Sequence, residues 1–453
     1  MVLREQASQA VAALISWASG VQWTDIPDAA RRRAALICGD DIAACLSAQD
    51  EPEVRAYHEG LIAAGRSGRS SLLRKGAPKL AARDAAAGNG LAISWNEVDE
   101  GYRRSPCHAG AYLLPALLAV AEEEDLTVGE VLRAATVAYE ITARFARCWQ
   151  SAMPPMHPHG IFNAIGAAAA VALAGKVDAR ILLRAVTGAS TMVSPGPYDH
   201  AIQGVLVRNA WAAAGAQIGM MAVDLARVGV GGIASSPYDV YAGGFRAQTQ
   251  VDELTHGLGA DWAVCDGYHK LYACCQYAHA SLDAVADILH RRPELKGGDA
   301  IASIAVEADP RGMTLCNDQP ATTLAAKFSL PHAVAAALVY GDAGVASFSS
   351  ASLADPDVAR LRAAVALRPH PGVRPWPNDR PGRVTLTLKS GEQLAAACDS
   401  ARGGPDRPFH EDEIAAKIRA LSASSAPGLA DAIVSMHANP ELPLSAWLRT
   451  VFR

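Results

Sequence analysis

Residues 95–110, WNEVDEGYRRSPCHAG, hold the densest group of side chains that can transfer protons or bind anions. An alanine- and leucine-rich stretch follows them directly. Acidic, basic and cationic groups gathered in one short segment suit proton transfer on an anionic substrate, so we predict an active-site segment. A solvated acidic turn balanced by two arginines is the alternative. The candidate residues are Glu97, Asp99, Glu100, Arg103, Arg104 and His108.

A second candidate lies in residues 156–160, MHPHG, where His157 and His159 flank a proline ahead of an alanine-rich stretch. A helix N-terminus favours anions, so imidazoles presented there can hold a carboxylate or move a proton. The alternative is an exposed turn. The segment does not indicate a metal site, because it offers neither a third ligand nor histidines four residues apart.

Two later segments add further candidates. Residues 268–279, YHKLYACCQYAH, place Lys270 beside aromatic residues, where an ammonium group can bind a carboxylate or donate a proton. Adjacent cysteines point apart on a regular element, so Cys275 is predicted to pack or to line a site. The same segment ends with His279. His332, in KFSLPHAV, follows a proline at a predicted helix start and is otherwise an ordinary turn residue.

Several kinds of enzyme lack their sequence motifs here. No GxGxxG follows a predicted strand, and GxxxxGK[ST], GxSxG and HExxH are absent, which argues against dinucleotide enzymes, P-loop NTPases, α/β hydrolases and zincin proteases. Nine cysteines without a CxxC pair predict neither a disulfide framework nor a zinc site. Of the classes of enzyme chemistry considered, acid/base catalysis without a metal or other cofactor is the one that remains.

Length and composition limit the architecture and the partners. The chain has 453 residues, more than one core usually holds, so we expect two domains or one large domain with an insertion. Half of the residues are hydrophobic but only 6% are aromatic, which favours closely packed helices. A net charge of −5 provides no broad basic face for nucleic acid. Without a signal peptide or a long apolar segment, we expect a cytoplasmic protein that does not bind membranes.

Apolar residues at helical spacing predict a succession of helices through the first half of the chain. Glycines, serines and a proline mark loops at 229–244, and strands and helices are mixed beyond them. The predicted fold class is mostly α, with a large helical body interrupted by a smaller α+β part. The predicted helices are 29–47, 112–124, 129–150, 163–175, 208–227, 281–290, 331–339 and 411–421, and the predicted strands are 300–308 and 382–389.

Seven segments, taken in order, resemble the MmgE/PrpD family, and together they span nearly the whole chain. They are NEVDEG, HAGAYLLPALLAVAE, MHPHGIFNAIGAAAA, VRNAWAAAGAQIGMMAVDLA, KLYACCQYAHASLDA, KFSLPHAVAAAL and ARGGPDRPF. The family includes 2-methylcitrate dehydratase, cis-aconitate decarboxylase and iminodisuccinate epimerase. The resemblance implies an all-helical domain at 1–262, an α+β lid domain at 263–402 and C-terminal helices at 403–453 that return to the helical domain. It also implies a homodimer and a site in the cleft between body and lid.

The resemblance also implies site positions, some of which depart from the family pattern. The acidic motif D-x-D-D-T becomes Glu97 to Gly101, with glutamate first and glycine in place of the threonine. The motif KxLHxGxAA becomes GVLVRNAW, which leaves Arg208 as the nearest cation. The other implied positions are His108, His157, Lys270 and, where the family has the tyrosine of SLPY, His332.

We hypothesise that cations hold a small polycarboxylate substrate while a histidine moves a proton at the carbon between its carboxylates. His108 or His157 would be the general base. The pair Glu97 and Asp99 would either orient that histidine or, if protonated through mutual repulsion, donate a proton to a leaving hydroxyl. The predicted substrate-binding residues are Arg103 or Arg104, His159, Arg208, Cys275, His279 and His332, with Lys270 holding a carboxylate beside the catalytic groups.

Dehydration of a hydroxy-polycarboxylate is the first reaction that we predict. Epimerisation or decarboxylation of a related dicarboxylate or tricarboxylate is an alternative, because all three reactions place a carbanion next to a carboxylate. A noncatalytic relative that kept the fold is another alternative, which the replaced motif residues favour. A structure in which the predicted groups share one cleft would favour the enzyme.

Overall fold

The computed structural model describes residues 2–153 and 155–452, most of which are helical. The helices are α1 (Val2–Gly20), α2 (Asp28–Ser47), α3 (Pro52–Ala63), α4 (Ala82–Ile93), α5 (Ala109–Glu123), α6 (Val128–Cys148), α7 (Pro158–Ile161), α8 (Asn163–Ala174), α9 (Ala179–Ser190), α10 (Asp199–Ile202), α11 (Val207–Arg227), α12 (Ser236–Tyr238), α13 (His279–Arg291), α14 (Thr323–Lys327), α15 (Leu330–Tyr340), α16 (Ser350–Ala354), α17 (Pro356–Ala363), α18 (Glu411–Ser422), α19 (Leu429–Val434) and α20 (Leu444–Val451). The strands are β1 (Ser67–Ser71), β2 (Lys79–Leu80), β3 (Gly101–Tyr102), β4 (Trp149–Gln150), β5 (Gln248–Thr249), β6 (Gly267–Tyr268), β7 (Ile301–Ala308), β8 (Val365–Pro369), β9 (Gly382–Leu388) and β10 (Gln393–Cys398).

Helix α8 is the centre of the helical body and is buried along its whole length, with α5, α6, α9 and α11 packed around it. Small residues permit these close approaches. At Gly219 of α11, an added Cβ would lie only 2.6 Å from the backbone nitrogen of Ala168. The high alanine and glycine content therefore allows helix backbones to lie nearly in contact.

A four-stranded sheet lies within residues 301–398, in the order β10-β9-β7-β8. Only the β7–β8 pair is parallel. Along β9, Val384, Leu386 and Leu388 are buried and alternate with more exposed residues, so one face of the sheet packs against the protein. Helix α13 covers β9 and β10, and α15 packs against α13 and α17. This sheet and its helices share a second hydrophobic core, separate from the core of the helical body.

Two contacts connect these regions at the predicted site. Strand β3 pairs antiparallel with β6, with Gly101 opposite Tyr268 and Tyr102 opposite Gly267. The acidic segment and the segment that carries Lys270 are thereby held side by side. Helix α18 then returns from the C-terminal region to pack against α2.

The structure confirms the mostly helical prediction and the main periodic helices, with ends that shift by up to three residues. The predicted strands 300–308 and 382–389 correspond to β7 and β9. The sequence analysis did not specify α4, α9, β8 or β10. The domain limits at 262/263 and 402/403, and the lid as a separate domain, remain predictions. All nine cysteines are free, as expected, and no helix within residues 2–153 or 155–452 is long and apolar enough to cross a membrane.

The close packing of α8 and α11 gives a testable consequence for stability. Replacing Gly219 with alanine is expected to lower the free energy of unfolding by about 1–3 kcal/mol, because the methyl group must displace the backbone of α8. Gly60, inside α3, has no atom within 4 Å of an added Cβ. Gly60→Ala should therefore raise the stability by about 0.5–1 kcal/mol. Urea unfolding followed by circular dichroism measures both, and equal stability of the two variants would contradict the packing argument.

Candidate active site

Residues 94–100 form an irregular, buried segment between α4 and β3. Within it, Glu97 has a φ of 55°, a left-handed conformation that residues other than glycine seldom adopt. Such a conformation persists only where the surrounding contacts enforce it. The acidic segment is therefore a fixed, strained turn rather than a solvated one.

The carboxylates of Glu97 and Asp99 form a buried network with two cations. The Nζ atom of Lys270 lies 3.2 Å from Glu97 Oε2 and 3.4 Å from Asp99 Oδ1. Arg208 forms an ion pair with Glu97. All four side chains are at most 2% exposed. The network brings together the acidic segment, the loop after β6 and helix α11, which lie far apart in the sequence.

The network keeps its members charged. Burial alone would raise the pKa of Glu97, but Arg208 and Lys270 outweigh burial and lower that pKa to about 2. For Asp99, too, burial is outweighed by Lys270 and His108, which hold its pKa well below the usual range. Burial likewise opposes the charge on Lys270, but Asp99 and Glu97 raise its pKa. The electrostatics thus favour ionised carboxylates that orient a neighbour over a pair protonated through mutual repulsion.

His108 is the histidine best placed to move a proton. Its Nδ1 lies 2.8 Å from Asp99 Oδ2, and its ring lines a small inner cavity. A carboxylate on one ring nitrogen fixes the orientation of the imidazole and leaves the other nitrogen for a substrate. Asp99 therefore orients His108, the arrangement that general acid/base catalysis requires.

His157 is less suited to that role, although its ring lines the same cavity. Arg208 Nε lies 3.3 Å from its Nε2, and the backbone N–H of His159 lies 3.2 Å from its Nδ1. Both ring nitrogens therefore face donors, whereas a neutral imidazole has only one acceptor nitrogen. Burial and the charge of Arg208 lower the pKa of His157 well below its usual value. We infer that His157 positions Arg208 and that His108 is the better candidate base.

His159 lies behind these two histidines, where Tyr112 Oη is 3.0 Å from its Nδ1. Its Nε2 is buried and has no hydrogen-bond partner among the described residues. Donor atoms of Asp99, His108 and His159 lie within 4.8 Å of one another, close enough to bind a metal ion. However, Lys270 places a positive charge 3.4 Å from Asp99, which opposes binding of a second cation.

The inner cavity has a volume of only about 20 Å³. A small molecule needs far more room, so a polycarboxylate can enter only after the walls separate. One wall belongs to the helical body and the other is formed by residues 275–277 and Phe328. The lining residues are Glu97, Pro106, His108, His157, Pro158, Tyr198, Arg208, Cys275, Gln276, Tyr277 and Phe328.

Two lysines that were not candidates from the sequence, buried Lys327 and partly buried Lys417, hold the strained segment on either side of Glu97. Lys327 Nζ donates to Trp95 O at 2.9 Å and to Asn96 Oδ1 at 3.0 Å. Lys417 Nζ donates to Val98 O at 2.7 Å and pairs with an aspartate of α2 at 2.6 Å. Lys327 lies inside the quoted KFSLPHAV segment, and Lys417 lies inside the predicted helix 411–421. Neither position carries a sequence signal for this contact.

The third acidic residue, Glu100, faces away from the cavity. Its carboxylate accepts hydrogen bonds from Tyr139 and from the backbone N–H of Gly110. The Glu100 N–H donates to Asp41 Oδ1 at 2.8 Å. Burial and the nearby carboxylate of Asp41 raise the pKa of Glu100 well above normal, and burial with the carboxylates of Asp99 and Asp40 raises the pKa of Asp41 well above normal. This second layer supports the acidic segment and is not available to a substrate.

Two predicted substrate-binding arginines have other partners. Arg103 is buried against Ser400 Oγ, at 3.0 Å, and the ring of Tyr268. Arg104 is partly exposed and pairs with Asp266 at 3.3 Å. Neither lines the inner cavity, because the turn at β3 directs both side chains away from it. The structure therefore does not support the proposed role of Arg103 or Arg104 in holding a carboxylate.

Two predicted histidines also lie outside the cavity. His279 is 2.7 Å from Tyr268 Oη and 3.1 Å from Cys274 O. His332 is 3.1 Å from Ser347 O and 3.1 Å from Arg362, within the second hydrophobic core. Both rings are fully engaged in structural hydrogen bonds, so their predicted contact with substrate is not supported. Cys275, by contrast, does line the inner cavity.

The contacts of Lys327 predict a measurable loss of stability. Lys327→Met removes the ammonium group that donates to Trp95 O and Asn96 Oδ1, and should cost about 1–3 kcal/mol. Lys389 is exposed, and Lys389→Met should change the free energy of unfolding by less than about 0.5 kcal/mol. Urea unfolding measures the free energy of unfolding of both variants. A Lys327→Met variant as stable as Lys389→Met would contradict the role of this lysine.

Comparisons with known proteins agree with this architecture. The MmgE/PrpD N-terminal domain matches residues 12–256, and the MmgE/PrpD C-terminal domain matches residues 272–441. Similar proteins include a cis-aconitate decarboxylase of Aspergillus terreus, 24% identical over 90% of this chain and 88% of that protein. Another is the cis-aconitate decarboxylase-like protein oryM of Aspergillus oryzae, 25% identical over 91% of this chain and 90% of that protein. The chain belongs to the MmgE/PrpD family, and this membership indicates an enzyme of that class.

Proposed function

We propose that the protein is a lyase that decarboxylates a small unsaturated tricarboxylate similar to cis-aconitate. The observation that carries the proposal is the buried Asp99–His108 pair, which presents an imidazole to a cavity beside Arg208. The sequence analysis ranked dehydration first and decarboxylation as an alternative. The similar curated proteins are named as cis-aconitate decarboxylases, so decarboxylation becomes our first candidate. Dehydration of a hydroxy-polycarboxylate is the second, because the same groups serve it.

In the proposed reaction, the bond between carbon and the leaving carboxylate breaks and CO₂ departs. The electron pair forms a new double bond, and the electrons of the original double bond move to the far alkene carbon, next to another carboxylate. Protonated His108 gives its Nε2 proton to that carbon, with Asp99 stabilising the imidazolium until transfer. Arg208 stabilises the negative charge that develops on the adjacent carboxylate.

Substrate binding has to compete with the internal ion pairs. Glu97, Asp99, Arg208 and Lys270 carry two negative and two positive charges, so the network is neutral overall. An incoming carboxylate must share Arg208 with Glu97, its ion-pair partner. Arg208 also contacts the ring of Phe328, so its guanidinium group is already oriented before substrate binds. Binding energy then depends on closure of the walls rather than on net charge.

A substrate panel tests the proposed function. Purified protein is incubated with cis-aconitate, 2-methylcitrate and iminodisuccinate, and CO₂ release and product formation are followed. We expect CO₂ from cis-aconitate, and a fall in kcat of about 10²–10⁴ in His108→Gln, because the proton donor is lost. His332→Gln is the matched control, since that buried histidine lies outside the cavity, and should retain most of the activity.

Four outcomes would count against the proposal. Turnover of 2-methylcitrate alone would favour dehydration, and turnover of iminodisuccinate alone would favour epimerisation. Equal losses in His108→Gln and His332→Gln would remove His108 from the proton-transfer role. Neither turnover nor binding of any of the three compounds would favour the noncatalytic alternative.

We also propose that the protein is a homodimer, in which an exposed apolar surface on α11 and the loop after it forms the interface. Met221 is 39% exposed, Val228 74%, Val230 58% and Ile233 64%. Apolar side chains exposed at several positions of one short stretch of the chain favour an interaction surface. A twofold dimer would bury this surface against its own copy.

Analytical ultracentrifugation of Ile233→Asp tests the homodimer. The buried charge should shift the protein from dimer to monomer at micromolar concentration. Val373 is also exposed but lies outside this surface, so Val373→Asp should remain dimeric. A monomeric parent protein, or a dimer unchanged in Ile233→Asp, would contradict the proposed interface.

A further inference from the structure

A larger cavity of about 310 Å³, which we call the outer cavity, lies next to the inner cavity. Its volume is within the range of small-molecule sites. Most of its lining is apolar, and Arg311 is the one charged side chain among the described lining residues. Among its lining residues are Trp149, Ile161, Phe162, Arg311 and Thr314.

The outer cavity and the inner cavity have part of their lining in common. Pro106, Pro158, Tyr198 and Tyr277 line both. A substituent on a carbon that reacts at His108 therefore needs only to pass these four side chains to reach the outer cavity. The separation of the walls that admits a substrate would join the two spaces.

The apolar wall of the outer cavity is rigid. Trp149 and Phe162 both stack against Tyr241, with ring centroids 5.2 and 5.3 Å apart. The Tyr241 hydroxyl donates to Ile161 O, and Phe145 packs against Trp149 at 5.1 Å. Aromatic stacking of this kind holds side chains in fixed positions. The wall is thus preformed and needs little reorganisation to receive an apolar group.

We propose that the outer cavity is a subsite for an unbranched alkyl substituent of the substrate, so that the preferred substrate is an alkyl-substituted polycarboxylate. The proposal rests on the proposed function, since the inner site must hold the carboxylates. An apolar occupant is favoured because apolar side chains form most of the lining, and the charged lining residue Arg311 has its guanidinium group 5.7 Å from the Tyr277 ring. An alkyl chain would instead displace water from a mainly apolar surface.

Calorimetric binding of stable, saturated analogues tests this subsite without requiring turnover. The probes are propane-1,2,3-tricarboxylate and its 1-methyl, 1-propyl and 1-pentyl homologues. We expect Kd to fall by about fourfold for each methylene until the cavity is filled. Equal Kd values across the series would overturn the proposal and would leave the outer cavity as an entrance only.

A variant that fills the outer cavity provides a second test of the alkyl subsite. Thr314 is exposed at the rim and contacts none of the ionised network, so Thr314→Trp should weaken binding of the pentyl homologue at least tenfold while the parent tricarboxylate binds as before. Thr314→Val is the matched control and should change neither. Equal weakening of both compounds by Thr314→Trp would count against an alkyl subsite, as would tighter binding of a homologue that ends in a fourth carboxylate.

The failures of the two proposals are distinguishable. If the parent tricarboxylate binds and cis-aconitate is turned over, but chain length has no effect, only the alkyl subsite fails. If neither the parent nor any homologue binds, the inner site does not hold polycarboxylates and the proposed function fails with it.

Discussion

Buried charge is the constraint on which the site depends. Ionised groups inside a protein are stable only when they are paired, because removing them from water costs several kcal/mol for each ion. Here the carboxylates of Glu97 and Asp99 can be buried only if Lys270 and Arg208 reach them from two other elements. The need to neutralise two buried carboxylates therefore fixes the relative positions of the acidic segment, the loop after β6 and α11. The same pairing keeps Asp99 ionised beside His108.

Neighbouring contacts make this arrangement rigid. The left-handed conformation of Glu97 is unfavourable by itself, yet Lys327 and Lys417 hold the backbone on both sides of it. Behind the segment, Asp41 and Glu100 form a second polar layer. Groups held by this many contacts would need little reorganisation when charge develops on a substrate, as the proposed reaction requires. The strain at Glu97 thus accompanies the preorganisation of the site.

The shape of the site complements its electrostatics. A neutral ion network does not attract polyanions strongly, so discrimination among substrates has to come from the fit within the cavities and from the orientation of Arg208. The small inner cavity has polar walls, and the larger outer cavity is mainly apolar. This gradient suits a substrate with its carboxylates at one end. Family membership indicates the class of enzyme, and the two cavities describe the space around the proposed site.

The sequence by itself determined the helical body, because alanine-rich segments with apolar residues at helical spacing have few other ways to bury their surface. It also identified the acidic segment, His108, His157 and Lys270, since unusual residue types stood in order along the chain. Only the tertiary structure decided which of them meet. Arg103, Arg104, His279 and His332 carried the same local signals, yet a turn or a hydrogen bond directed each one elsewhere. Lys327 and Lys417 showed no signal at all, because a lysine that holds a backbone carbonyl from a distant helix is defined by where the chain folds and not by its neighbours in sequence.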